Sequence, residues 1–234
     1  MKIHRFIVPF NRDKNITIND SEFYNQVKKV LRLDTGEQIM LCDGAMNEAL
    51  AIITGFQKDA VDVEILRMLK NENEPVIHAI LYCSILKREN FEVVVQKATE
   101  VGISEIVPLL CKRTVKLDLK KDRLEKIIKE AAEQSGRGKV PQLHDPVPFE
   151  EALLDSKNKL DLFFDPSGVA LNIKYRLPDF VGIWIGPEGG WEESETIAAK
   201  SAGFTIANLG TLTFRAETAA IIASYLGVAF SRFS

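Results

Sequence analysis

The sequence predicts an α/β protein in two parts. Residues 1–70 read as a small β-barrel with one helix, and residues 75–234 as a parallel sheet with helices on both faces. Three observations carry this reading. Short β-branched runs separated by turn residues fill the first seventy positions, and from Val76 onward strand-like runs alternate with stretches of helical apolar spacing. Between the two lies Asn71-Glu72-Asn73-Glu74-Pro75, a polar segment closed by proline, where the domain boundary is expected.

In the first part, strands are expected at Ile3–Val8, Gln38–Cys42, Ala49–Thr54 and Ala60–Ile65, separated by the turn signals Asp34-Thr35-Gly36, Asp43-Gly44 and Lys58-Asp59. A helix is expected at Ser21–Leu31. In the second part, Val76–Leu86 is an apolar strand. Phe91, Val94, Val95, Ala98 and Val101 then repeat at helical spacing, with Gly102 placed to cap that helix. Ile103–Leu110 is a strand, and Leu124, Ile127, Ile128 and Ala131 mark a second helix that Gly136 ends. Asp161–Phe164, Val181–Ile185 and Phe204–Leu209 are short strands, and Glu192–Ala202 and Ala216–Phe230 are helices. Such alternation gives a parallel sheet covered on both sides. The stretch Ala219–Phe230 carries no charge, so that helix is expected to be buried all round, against the core and a second subunit.

Composition narrows the function. Hydrophobic residues make up 46% of 234 positions, enough for packed cores, and no apolar run approaches the roughly 20 residues of a membrane helix. The opening MKIHRFIVPF lacks the apolar stretch of a secretion signal, so a soluble cytoplasmic protein is expected. Cys42, Cys83 and Cys111 are far apart, as are His4, His78 and His144, so neither disulfides nor a metal site is expected. The formal net charge of −3 argues against a general nucleic-acid glue, yet Cys111–Lys139 holds ten Lys or Arg against five Asp or Glu. That basic stretch suits either an RNA footprint or the solvated face of a helix.

Two loops carry the chemistry. Gly186-Pro187-Glu188-Gly189-Gly190 follows a strand and leads into the acidic turn Trp191-Glu192-Glu193-Ser194-Glu195. Its glycines permit close approach to the backbone, and ligands of parallel sheets bind at such strand ends. It is neither a P-loop nor a dinucleotide fingerprint, and the acids after it favour a cationic ligand over phosphate. The second loop, Leu209–Thr218, also follows a strand and enters the uncharged helix. A single Arg215 at that helix mouth needs either Glu217 as partner or a substrate to face.

These residues carry a resemblance. Gly186–Gly190, Leu209-Gly210 and Arg215-x-Glu217-Thr218-Ala219 resemble the SPOUT superfamily of knotted methyltransferases, and within it the bacterial 16S ribosomal RNA (uracil-N3)-methyltransferase family. His4-Arg5-Phe6-Ile7-Val8, Val30-Leu31-Arg32-Leu33, Cys42-Asp43-Gly44, Gln96–Gly102 and Glu130–Arg137 extend the match along nearly the whole chain. The chain departs from the family at Phe23-Tyr24-Asn25-Gln26, where a His-rich stretch is usual, at Arg88, where glycine is common, and at Thr211-Leu212, where Pro-Arg is frequent.

The resemblance implies a PUA-like RNA-binding barrel followed by a trefoil-knotted methyltransferase domain, acting as a homodimer. It implies S-adenosylmethionine (SAM) held by Phe164, Ile185, Gly186, Pro187, Glu188, Gly189, Gly190, Leu209, Gly210, Leu212, Thr213 and Arg215, largely through backbone groups. The implied product is N3-methyluridine in small-subunit ribosomal RNA, with the 30S particle as the setting. Arg5, Arg32, Arg113 and Arg137 are the expected phosphate contacts. Arg215 and Glu188 are the expected catalytic pair: the arginine stabilises charge on the uracil oxygens, and the carboxylate orients it or the cofactor. A ribose 2′-hydroxyl methyltransferase is the competing enzyme, although Leu209–Thr218 lacks the Asn-rich signature of that group. An inactive assembly factor is the competing non-enzyme.

Overall fold

The computed structural model describes residues 3–114, 119–171 and 178–229. The chain divides into two compact units. One comprises Met1–Glu74 with Ala132–Val140, the other Pro75–Ala131 with Pro141–Ser234.

In the first unit, β1 (His4–Ile7), β2 (Asn15–Ile18), β3 (Gln38–Cys42), β4 (Asn47–Gln57) and β5 (Ala60–Lys70) form one sheet in the order β1-β3-β4-β5-β2. β1 runs parallel to β3, and the remaining pairs are antiparallel. Residues from both ends of the sheet share a single core: Phe6 of β1 and Ile18 of β2 are buried in the same cluster as Ile39, Ile53 and Val63. A sheet whose two ends enclose one core must coil, so the unit is barrel-like. A helix contributes the lid of that core. Asp20 caps α1 (Ser21–Tyr24), its carboxylate accepting the N–H groups of Glu22 and Phe23 at 2.9 Å each. The helix then widens into a π-helical turn over Asn25–Val30, where the sequence suggested one regular helix. Phe23 packs edge-to-face on Phe6 with centroids 5.1 Å apart.

Residues 132–140 join this unit although the sequence places them well inside the second domain. Their polar groups explain it. Glu133 Oε1 accepts the Ile7 N–H at 2.8 Å, and Asn71 Nδ2 donates to the Gly136 carbonyl at 3.0 Å. Arg137 reaches Glu74 through Nη2 at 2.6 Å and Nε at 3.0 Å. These partners lie far away in sequence, so local patterning does not reveal them.

The second unit comprises β6 (His78–Ser84), α2 (Arg88–Val101), β7 (Glu105–Leu110), most of α3 (Lys121–Ser135), β8 (Gln142–Leu143), β9 (Val147–Pro148), α4 (Phe149–Asp155), β10 (Leu160–Ala170), β11 (Phe180–Ile185), α5 (Glu193–Ser201), β12 (Thr205–Asn208) and α6 (Ala216–Ala229). Its sheet runs β12-β10-β11-β6-β7-β8, with β9 also on β7, and every pair is parallel. Alternate residues feed opposite faces. Leu81, Ile183 and Phe164 pack with α2, α3 and α6, while Tyr82, Trp184 and Phe163 pack with Phe149 of α4 and Ala199 of α5. Gly102 ends α2 at φ 109°, as the capping signal predicts. β2, β8, β9 and α4 escape the sequence reading because they are two to seven residues long and offer too few positions for a period to show.

α6 is covered by its own chain along one stripe. Only Ala220, Ala223, Ser224, Gly227 and Val228, a stripe at helical spacing, are buried within the chain, and Tyr225 is 54% exposed. The chain itself thus covers one face of the helix and leaves the face that the sequence assigns to a second subunit uncovered. Phe230, the far end of the sequence-predicted helix, lies outside the described residues.

Candidate active site

The sheet order places the two loops together. β10 is the neighbour of both β11 and β12, so the loops after Ile185 and Asn208 flank the same strand at its carboxyl end. Between them opens a cavity of about 1090 Å³. All twelve residues that the family resemblance implies for the cofactor line it. The volume lies just above the range typical of small-molecule sites.

The first loop is fixed from within the sheet. Trp191 Nε1 donates to the Phe164 carbonyl at 3.0 Å, and its ring stacks on Phe163 at 4.3 Å between centroids. A Cβ on Gly186 would fall 2.9 Å from the Trp191 ring, so only glycine fits there. The Gly190 N–H closes a turn onto the Pro187 carbonyl at 2.8 Å, with Gly190 at φ 71°. Glu188 has a role the sequence did not show: its Oε1 accepts the Lys87 N–H at 3.0 Å and so anchors the start of α2. This makes Glu188 a positioning residue of the cavity wall. Two of the acids thought to favour a cation, Glu192 and Glu195, are likewise committed elsewhere. Glu195, 2% exposed, accepts the N–H groups of Lys112 and Glu192 at 2.9 and 2.7 Å, and Glu192 pairs with Arg113 at 2.6 Å.

The second loop begins with Asn208, whose Oδ1 accepts the Gly210 N–H at 3.0 Å while its Nδ2 donates to the Gly168 carbonyl at 2.6 Å. Gly210 sits at φ 118°. Arg215 is exposed on the cavity lining. It makes no ion pair with Glu217 or any other residue among the described residues, so the purely structural pairing is not formed. Glu217 Oε2 is buried at the cavity wall with no hydrogen-bond partner among the described residues.

A third wall was not anticipated. β10 breaks register between Phe164 and Val169, and the excursion brings Asp165 and Pro166 onto the cavity. The run Asp165-Pro166-Ser167-Gly168, turn-forming residues straight after a strand, is the signal that would have found it. Lys87 and Asn90 from the start of α2 complete the lining.

The expected phosphate contacts separate. Arg32 is exposed, at φ 57°, in the first unit. Arg137 is 4% exposed and paired with Glu74, and Arg5 is partly buried and paired with Glu48, so both are internal ion pairs rather than open cations. Arg113 donates Nη1 to the Gly189 carbonyl at 2.8 Å and Nε to Glu192. Of the basic stretch, Arg123 pairs with Glu92 and Lys121 with Asp145, each at 2.6–2.7 Å, which favours the solvated-face reading there; Lys116 and Asp118 lie outside the described residues. The three cysteines are free and buried. Burial pushes the Cys42 and Cys111 thiols up to about 12 and Cys83 higher still, so none is a nucleophile at neutral pH. No group of three or more His, Cys, Asp or Glu able to hold a metal occurs among the described residues, and no described helix is long and apolar enough to cross a membrane.

Comparison with known proteins is consistent with this architecture. Residues 72–226 match the RNA methyltransferase domain model and residues 27–66 the RNA methyltransferase PUA domain model. Ribosomal RNA small subunit methyltransferase E of Mesomycoplasma hyopneumoniae is 36% identical over 166 residues, covering 68% of this chain and 72% of that protein. Its Bacillus subtilis counterpart is 30% identical, covering 86% and 85%. The structure of ribosomal RNA small subunit methyltransferase E from Neisseria gonorrhoeae, bound to S-adenosyl methionine, superposes with a TM-score of 0.87 at 29% identity and covers 96% of each chain. On this family-model match and these identities, the chain belongs to the ribosomal RNA small subunit methyltransferase E family of RNA methyltransferases.

Proposed function

We propose that the protein methylates N3 of a uridine in small-subunit ribosomal RNA, using SAM. The observation that carries this is the single cavity walled by both glycine-bearing loops at the carboxyl end of β10, in a chain that aligns nearly end to end with a relative solved with that cofactor. The residues present fit such a ligand. Gly186 leaves the loop flush with Trp191, no atom of the described residues stands within 4 Å of where a Cβ on Gly190 or Gly210 would lie, and Glu217 presents a carboxyl group at the cavity wall.

When bound, the cofactor supplies an electrophilic methyl group on a sulfonium. The protein's own groups do the rest. The backbone of 186–190 and 209–213 would hold the ligand, and the Trp191–Phe164 bond fixes the first of these loops to the end of β10. Methyl transfer to N3 needs the N–H proton removed, because the anion is the nucleophile, and the base must be unpaired to enter. Arg215, on the cavity and without a counter-ion among the described residues, is placed to stabilise the negative charge that spreads onto the uracil oxygens. Arg32 supplies a phosphate contact from the first unit. The apolar face of α6 that the chain leaves uncovered supports a homodimer. A cytoplasmic protein acting on the 30S particle follows from the same reading.

The experiment is single-turnover methyl transfer from labelled SAM to 30S particles and to free 16S RNA, followed by nuclease digestion and mass spectrometry. N3-methyluridine is the expected product. A ribose-methylated nucleoside would assign the competing chemistry, and no transfer to either substrate would remove the proposal.

A further inference from the structure

We propose that Arg113 is a positioning residue for the cofactor loop rather than a contact to RNA phosphate. The inference rests on the reading of 186–190 as part of the SAM site. Both polar atoms of the Gly189–Gly190 peptide are held. Its carbonyl accepts Arg113 Nη1 at 2.8 Å, and its N–H donates to the Pro187 carbonyl at 2.8 Å. That peptide joins two glycines, one at φ 71°, and without restraint such a segment samples many conformations. Arg113 supplies the restraint at two points, because its Nε is also bonded to Glu192 at 2.6 Å, at the entry to α5.

The arginine is itself anchored. It sits in the turn after β7, where the Thr114 N–H donates to the Cys111 carbonyl at 3.0 Å, and Thr114 Oγ1 accepts the Cys111 N–H at 2.8 Å and bonds Ser84 Oγ, at the end of β6, at 2.8 Å. The neighbouring Lys112 N–H bonds the buried Glu195 at 2.9 Å. β7 lies two strands from β11, with β6 between them, so the turn reaches past the end of β6 to clasp the loop of β11. A guanidinium suits the task because one rigid plane presents directed donors to a carbonyl and a carboxylate together; an ammonium is a single point charge on a flexible stem. A loop ordered before binding leaves less freedom to be lost on binding, which raises ligand affinity. The Arg113 side chain is 46% exposed, so replacing it leaves the core intact.

The test is calorimetric titration of SAM into the full chain and into Arg113→Lys, Glu192→Gln and the double variant, with thermal unfolding of each and RNA affinity at two salt concentrations. Arg113→Lys should bind SAM about tenfold more weakly. Glu192→Gln should lose affinity in the same direction, and the double variant should be no worse than the weaker single one, because both changes remove one shared restraint. Unfolding temperature and RNA affinity should stay near those of the parent. Unchanged SAM affinity in Arg113→Lys, or a loss confined to RNA binding with a flatter salt dependence, overturns the proposal. Failure of the parent chain itself to bind SAM would instead overturn the cofactor assignment.

Discussion

Trp191 and Gly186 are built around each other: the indole occupies the space a Cβ at Gly186 would need, at 2.9 Å, and from there donates its N–H to the Phe164 carbonyl at 3.0 Å. One side chain thus ties the loop after β11 to the end of β10.

Gly186→Ala should therefore push the indole off its acceptor and misplace the loop. SAM affinity measured by calorimetry should fall at least tenfold, with a stability loss of about 1–3 kcal/mol in urea unfolding, typical of overpacking. Gly189→Ala is the informative contrast. Its Cβ would meet only Arg113 atoms, at 3.4 Å and beyond, and should be tolerated. Equal loss in both variants would mean the loop answers to glycine content rather than to Trp191.

Arg215→Lys separates chemistry from binding. SAM and RNA affinities should stay close to those of the parent, while the single-turnover rate drops about 100-fold, the scale for removing a donor that acts mainly in the transition state. The rate of the variant should recover as pH rises and uracil ionises unaided. A Lys variant with near-parental rate at neutral pH would leave Arg215 without a catalytic role.

Arg137→Ala should damage stability instead of RNA binding. The Arg137–Glu74 pair has side chains 4% and 9% exposed, and removing the arginine leaves the carboxylate with only the Gly138 and Lys139 N–H groups, at a cost of up to about 3–5 kcal/mol. Urea unfolding reads this directly. A variant of normal stability with weakened RNA binding would restore Arg137 as a phosphate contact.

The thiols give a pH prediction. Burial raises Cys42 and Cys111 from an ordinary value of 9.0 to about 12, with Cys83 shifted further in the same direction. A folded value above the unfolded one means that stability is intact below pH 9 and declines as pH rises from 9 through about 12, where the unfolded chain alone releases the protons. A thiol reagent at pH 8 should label the native protein slowly and the denatured protein at three sites quickly. Rapid native labelling would show that a cysteine opens to solvent.

The sequence by itself determined what depends on near neighbours. Alternating apolar runs gave the parallel sheet, Gly102 gave the end of α2, and the glycines after two strand-like runs located both cavity loops. These features are local, because side-chain period, left-handed turns and strand ends are set by residues a few positions apart. The tertiary structure alone decided the partners. Arg137 and Glu133 fall in the basic stretch, yet they bond Glu74 and Ile7, 63 and 126 residues away. Glu188, assigned to orient Arg215 or the cofactor, also bonds the Lys87 N–H, and Arg113, assigned to RNA phosphate, holds the Gly189 carbonyl. A charged side chain in isolation is consistent with solvent, ligand or ion pair, and the choice among them is made by which distant strand the sheet order brings within hydrogen-bond reach.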